Sequence, residues 1–164
     1  MVKAEVCIEG EPVCNDESGD PSGPFCFVYD TCFMKLVLRL PFDLFEKEVL
    51  TEMNVCPTQL RPNSWAFLRI FFILCDILDI VPTLNVFFYF FELKTSYRKL
   101  WATLNSFSGR RLFTLFKSSY KNFKGHFIKI CPSSKDPTML EGFPLYRAPI
   151  PRFQTTCQME DLNP

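Results

Sequence analysis

Residues 57–69 read PTQLRPNSWAFLR: two prolines, an asparagine–serine pair, and a tryptophan that opens an apolar run. This punctuation decides how the chain is divided. Pro62 cannot continue a preceding helix, and Asn63 or Ser64 offers a side-chain oxygen to the unpaired N–H groups that begin the next one. A helix is therefore expected over Ser64–Ile80, apolar nearly all round. Arg69 and Asp76 lie seven residues apart on nearly the same helical angle, with Asp79 beside them. So narrow a polar seam implies packing on several sides. The seam reads as a solvent stripe or an intramolecular ion pair, with a ligand-facing role as the alternative.

Upstream, PFDLFEKEVLTEMN fits a helix over Asp43–Asn54. Asp43 and Glu46 have capping-box spacing, and Phe45, Val49 and Met53 share one face. The apolar stretch FVYDTCFMKLVLRLPF is ambiguous by periodicity, and a short helix near Val28–Leu36, ending before Pro41, is the expectation. Residues 1–24 are rich in Glu, Asp, Gly, Pro and Ser and read as a flexible acidic leader.

Downstream, Pro82 separates a further helix, about Thr83–Leu93, whose VFFYFF is bulky enough for a strand instead. Trp101–Phe107 suits a strand, SGRR a turn and LFTLF a returning hairpin arm. SSYKNFK opens another helix with Phe116, Tyr120 and Phe123 on one face. Gly125 ends it, and His126–Ile130 follows as a short strand. Past Cys131 the prolines return, so 132–164 is expected to be an extended or loosely attached tail. The fold class is α+β and mainly helical: a core of about four helices with a small C-terminal β-hairpin or sheet, in one domain spanning 25–131.

Eight cysteines are an even number, yet the acidic opening MVKAEVCIEGEPV has no signal-peptide core, so reduced thiols in an intracellular protein, nuclear or cytoplasmic, are expected. Residues 64–91 are greasy, but Arg69, Asp76, Asp79 and Pro82 interrupt them well short of the roughly 20 residues a membrane helix needs. No membrane association is expected. With one histidine, His126, and no Cys-x-x-Cys, structural zinc is not expected, nor any other metal or cofactor. No Ser or Cys sits in a nucleophile elbow, and no phosphate-binding glycine loop or small-molecule site is evident. The chain does not read as an enzyme.

Charge is where the chain departs from the ordinary. The formal net charge is zero, but residues 1–92 hold 14 acids against 6 bases, whereas 93–135 hold 10 bases and no acid. Lys94, Arg98, Lys99, Arg110, Arg111, Lys117, Lys121, Lys124 and Lys129 alternate with aromatic residues, among them Tyr97, Trp101, Phe107 and Tyr120. Cations clustered in this way release counterions from a phosphate backbone, giving affinity without sequence preference. RNA or DNA, bound with low specificity, is one expected partner. The alternative is that this face balances the acidic charge of residues 1–92, within the chain or between copies by self-association through acidic and basic surfaces.

Three blocks, PTQLRPNSWAF, LNVFFYFF and SSYKNFK, with the later GFPLYRAP, resemble the plant gypsy-type transposase, or plant transposon protein, domain of retrotransposon-derived reading frames. The motif residues at its centre are Pro62, Asn63, Ser64 and Trp65, and Arg61 stands where the family usually carries a histidine. The resemblance runs from about Pro24 to Phe153. It implies a Gag-like or accessory segment of a mobile element, without implying an active recombinase. The alternatives are an assembly domain or a degenerate element fragment with no retained activity.

Overall fold

The computed structural model describes residues 3–7, 23–95, 101–113, 120, 121, 123, 125–132, 134 and 136–146. In chain order these form β1 (Lys3–Val6), β2 (Cys26–Tyr29), α1 (Asp30–Leu36), α2 (Leu44–Met53), α3 (Pro62–Ile77), α4 (Leu84–Phe90), β3 (Phe91–Thr95), β4 (Ala102–Ser106) and β5 (Phe127–Cys131). The fold is α+β, with four helices and two small antiparallel sheets. β5 is the centre of one sheet, between β1 and β2, with Lys129 opposite both Glu5 and Phe27. β3 and β4 form the other, with Leu93 opposite Leu104.

α2 follows its sequence closely. Asp43 and Glu46 form the reciprocal capping box, in which the Asp43 N–H donates to Glu46 Oε2 at 3.0 Å. Phe45, Val49 and Met53 are buried together, as their spacing requires. Asn54 adopts φ +50, and its neighbour Val55 donates back to the Leu50 carbonyl, closing the helix in a left-handed turn that asparagine tolerates.

Two expected helices start or end elsewhere. The first is preceded by a strand: Cys26–Tyr29 pair with β5 and are buried throughout, and the helix begins only at Asp30. Four consecutive apolar residues that meet a pairing partner on their edge and core on both faces satisfy their backbone better as a strand. The helix expected to reach Leu93 ends at Phe90. From Phe91 the chain alternates, with Phe91 and Leu93 buried beneath Glu92 and Lys94, and it pairs with β4. β4 therefore has β3 as its partner rather than LFTLF, of which Leu112 and Phe113 lie in no strand and the rest falls outside the described residues. Tyr120, Lys121 and Phe123 are not helical, and the remainder of that expected helix is likewise outside the described residues.

Lys3–Val6 of the acidic leader form β1, and residues 8–22 lie outside the described residues. Part of the tail is seated on the core instead of hanging loose. Met139, Leu140 and Phe143 are buried, Phe143 meets Phe42 edge-on at 5.3 Å, and Thr51 Oγ1 donates to the Gly142 carbonyl.

The core explains the heavy use of phenylalanine. Phe45 stacks on Phe71 at 5.6 Å, and Phe87 meets both edge-on and touches Phe91 at 4.9 Å. This chain of rings joins α2, α3, α4 and β3. Edge-to-face and offset pairs of this kind add roughly 0.5–1.5 kcal/mol each beyond the area they bury.

The PTQLRPNSW stretch turns out to be a clamp. Arg61 is the residue before α3 and makes no side-chain cap; Pro62 is the first helical residue. Asn63 and Ser64, expected to cap the helix, serve other segments. Ser64 Oγ accepts the buried Leu104 N–H at 2.8 Å, and Asn63 Oδ1 accepts the Tyr120 N–H at 2.9 Å. Ala102 donates to the Gln59 carbonyl at 2.7 Å and accepts from the Arg61 N–H at 3.2 Å, a parallel bridge opposite Leu60. Tyr29 Oη donates to the Thr58 carbonyl, and Trp65 Nε1 to that of Pro57. The outer edge of β4, which would otherwise carry unpaired backbone groups, is thus satisfied by residues 59–64.

Cys26, Cys32 and Cys75 are buried thiols outside any disulfide, Cys7 and Cys131 are half-buried, Cys56 is buried, and Cys14 and Cys157 lie outside the described residues. Burial pushes the Cys26 thiol up to about 12, with Cys131 adding to the effect, and burial raises Cys32 and Cys75 as well. Among the described residues no helix is long and apolar enough to cross a membrane.

The polar seam of α3 divides. Arg69 turns inward, 3.1 Å from Glu46 Oε1 and 3.5 Å from Asp43 Oδ2, while Asp76 and Asp79 stay exposed. The ion-pair reading holds for Arg69 alone. Glu46 is only 1% exposed, and the buried Arg69 Nε has no acceptor. Burial raises the Glu46 carboxyl above its ordinary 4.5, although the Asp43 N–H and Arg69 pull it down.

Two predictions come from these contacts. Ser64→Ala strands the Leu104 N–H in the core and lowers unfolding free energy by about 1–3 kcal/mol, read by urea denaturation. Glu46, raised in the folded state, holds its proton more tightly folded than unfolded, so ionisation subtracts stability as pH rises from 4.5 through the raised value. The stability of the wild type relative to Glu46→Gln therefore grows as pH falls through that window. A pH-independent difference would show that the carboxyl is not shifted.

Candidate nucleic-acid interface

Three of the expected cations come together at the β3–β4 sheet. The turn Phe107–Arg110 closes with the Arg110 N–H donating to the Phe107 carbonyl, and Gly109 at its third position has φ +79, the left-handed setting that only glycine takes without strain. The Phe107 N–H donates to the Phe90 carbonyl, so the turn sits directly on the α4–β3 junction. There the Arg110 guanidinium lies over the Tyr89 ring at 4.4 Å and near Phe107 at 5.6 Å, and its Nη1 reaches the Tyr89 carbonyl.

Arg111 is exposed beside it, and Lys94 is exposed on β3. Both line a shallow concavity with Ser106, Ser108 and Glu92. Glu92 pairs with Lys94. An exposed pair of this kind holds its members loosely, at about 0–1 kcal/mol, and leaves the ammonium open to exchange partners. The stacked Arg110 is better organised: its planar cation is oriented by a ring and a carbonyl, with further N–H donors remaining.

The other expected residues lie elsewhere or beyond view. Lys129 is in the three-stranded sheet, half-buried, with its Nζ over the Phe25 ring at 4.1 Å. Lys121 is exposed next to Tyr120, whose backbone Asn63 holds. Arg98, Lys99, Lys117 and Lys124 fall outside the described residues. Pro62, Asn63, Ser64 and Trp65 are positioned as parts of the clamp: Trp65 is fully buried and stacked on Phe42 at 5.3 Å. His126 is exposed, 3.9 Å from Asp30. Among the described residues no three of His, Cys, Asp or Glu converge as metal ligands.

Sequence reasoning overlooked Glu92 and Tyr89. Glu92 lies just outside the acid-free stretch, but two residues from Lys94 in a strand means the same face, so the pairing was readable once β3 was. Tyr89 had no signal, since its partner lies 21 residues away across a turn.

Residues 27–95 match the model of the family described as "Putative gypsy type transposon". The resemblance carried by the motif blocks is thereby shown from within β2 to the end of β3, and a gypsy-type transposon domain is indicated for this part of the chain. No curated protein and no solved structure matches the chain.

Proposed function

We propose that this chain is a non-catalytic, Gag-like or accessory protein of a plant gypsy-type element, intracellular, which binds RNA or DNA without sequence preference. The contact surface is the β3–β4 end, with Lys94, Arg110 and Arg111 as its cations. The observation that carries the reading is Arg110, stacked on Tyr89 at 4.4 Å beside the exposed Arg111. An arginine held flat on a ring offers a phosphate an oriented donor pair, and neighbouring Phe107 offers a base a stacking face. Such an interface reads backbone charge and gives affinity without sequence preference.

If three phosphates of a single strand are neutralised, the logarithmic salt slope is about −2, so a fourfold rise in salt weakens binding by roughly tenfold or more. Replacing Lys94, Arg110 and Arg111 together with glutamine is expected to remove most of the affinity and flatten the slope, measured by fluorescence anisotropy on a labelled single strand. Binding that survives the triple variant unchanged would overturn this placement. With magnesium or manganese, supercoiled plasmid should remain unnicked; nicking that copurifies with the folded protein would refute the non-catalytic part.

A further inference from the structure

At the far end of α3 from the clamp, Ile77 is 73% exposed, Leu78 55%, Ile80 54% and Val81 79%. Four large apolar side chains exposed within five positions are an unusual concentration of bare apolar surface, beyond the single exposed side chains that are ordinary. Its shape is set by how α3 stops. Asp79 takes φ +54, Asp79 N–H donates to the Asp76 carbonyl and Ile80 N–H to that of Cys75, the paired bonds of a Schellman turn. That turn leaves Ile80 and Val81 exposed just past the helix, with Asp76 and Asp79 lining the same concavity as they do. Glycine is the usual residue at this left-handed position, and here it is aspartate.

The charge of the patch says what would cover it. Asp76 and Asp79 are both exposed within it, and no lysine or arginine occurs between Arg69 and Lys94. Its complement is apolar or aromatic surface carrying cations. The chain itself has a surface with an excess of cations beside rings: the β3–β4 end, where Lys94 and Arg111 line one concavity with Phe107 and with Glu92, which pairs with Lys94, and Arg110 lies over Tyr89 and near Phe107. We infer that the α3–α4 knob of one molecule docks on the β3–β4 end of a second copy, Asp76 and Asp79 facing its cations and Ile77 and Val81 its rings.

The two surfaces are different, so the contact is heterologous. Unless rotation closes a ring, it propagates into open chains. Four apolar side chains and two carboxylates are far fewer than the roughly 20–30 residues a side of a stable dimer, so association is weak and concentration-dependent, and salt weakens it further. The inference does not rest on nucleic-acid binding, although a polyanion would compete for the same cations.

The test uses complementation in nuclease-treated full chain. Wild type is expected to show a mass that rises with concentration in sedimentation equilibrium and falls with added salt. A knob variant, Asp76→Asn with Asp79→Asn, should be monomeric, as should an end variant, Lys94→Gln with Arg111→Gln. Asparagine keeps the left-handed turn. Mixed, the two variants retain one intact end and one intact knob, and should form 1:1 dimers with no longer species. Ile77→Ser with Val81→Ser provides a second knob variant that leaves the charges in place, and circular dichroism checks that each variant is folded. A wild type that stays monomeric at high concentration overturns the inference. So do variants that associate like the wild type, or a mixture that remains monomeric. Since nucleic acid is absent throughout, these outcomes are independent of the anisotropy result.

Discussion

The structure depends on the backbone groups of β4 finding partners outside its own sheet. β3 pairs with one edge of β4; the other edge faces residues 59–64, which supply the Gln59 carbonyl, the Arg61 N–H and Ser64 Oγ to Ala102 and Leu104. All three partners are fixed by the entry to α3, where Pro62 sets the turn and Trp65 anchors it to Phe42 and to the Pro57 carbonyl. A buried N–H without an acceptor costs more than its hydrogen bond would return, so these contacts hold together or fail together. The nine residues Pro57–Trp65, which include that edge, also bind Tyr29 of β2 and the backbone of Tyr120. One short stretch thus ties both sheets to the longest helix.

Charge is managed in two ways. Inside, Arg69 is bracketed by Glu46 and Asp43, an arrangement that orients α2 against α3 at a desolvation cost that the raised Glu46 carboxyl records. At the surface, several cations rest on aromatic rings: Arg110 on Tyr89, Lys129 on Phe25, Lys35 on Tyr120. The rings do not neutralise them. They reduce side-chain freedom, so a cation held in this way loses less entropy when it meets an anion.

The helices with local signals were legible. α2 announces itself through Asp43, Glu46 and the Phe45–Val49–Met53 stripe, and α3 through Pro62 and its apolar run. β4 and β5 were also placed to within a residue or two. What escaped depends on partners distant in sequence. Cys26–Tyr29 become a strand because β5, about a hundred residues on, lies alongside. Phe91–Thr95 leave the helix because β4 pairs with them. Asn63 and Ser64 have the chemistry of caps, and nothing local says that Leu104 and Tyr120 will claim them. The cationic run was visible as composition, whereas its division between two sheets is a matter of topology: Lys94 and Lys129 are near neighbours in charge pattern yet belong to different sheets. The apolar knob at Ile77–Val81 lies at the end of the helix expected over Ser64–Ile80, and periodicity cannot tell a helix end that is covered from one that is bare.

The interlocking of the sheets limits how the chain can be divided. The stretch that matches the transposon family runs from residue 27 to 95, and it contains β3 and most of β2 but neither β4 nor β5. Excised at those limits it would expose two unpaired strands, the three donors and acceptors of residues 59–64, and the aromatic floor that Trp101 and Phe127 roof over Tyr29. The matched portion is therefore not expected to fold on its own. A fragment cut at those limits keeps the apolar faces of β2 and β3 but loses β5 and β4, the strands that close over them.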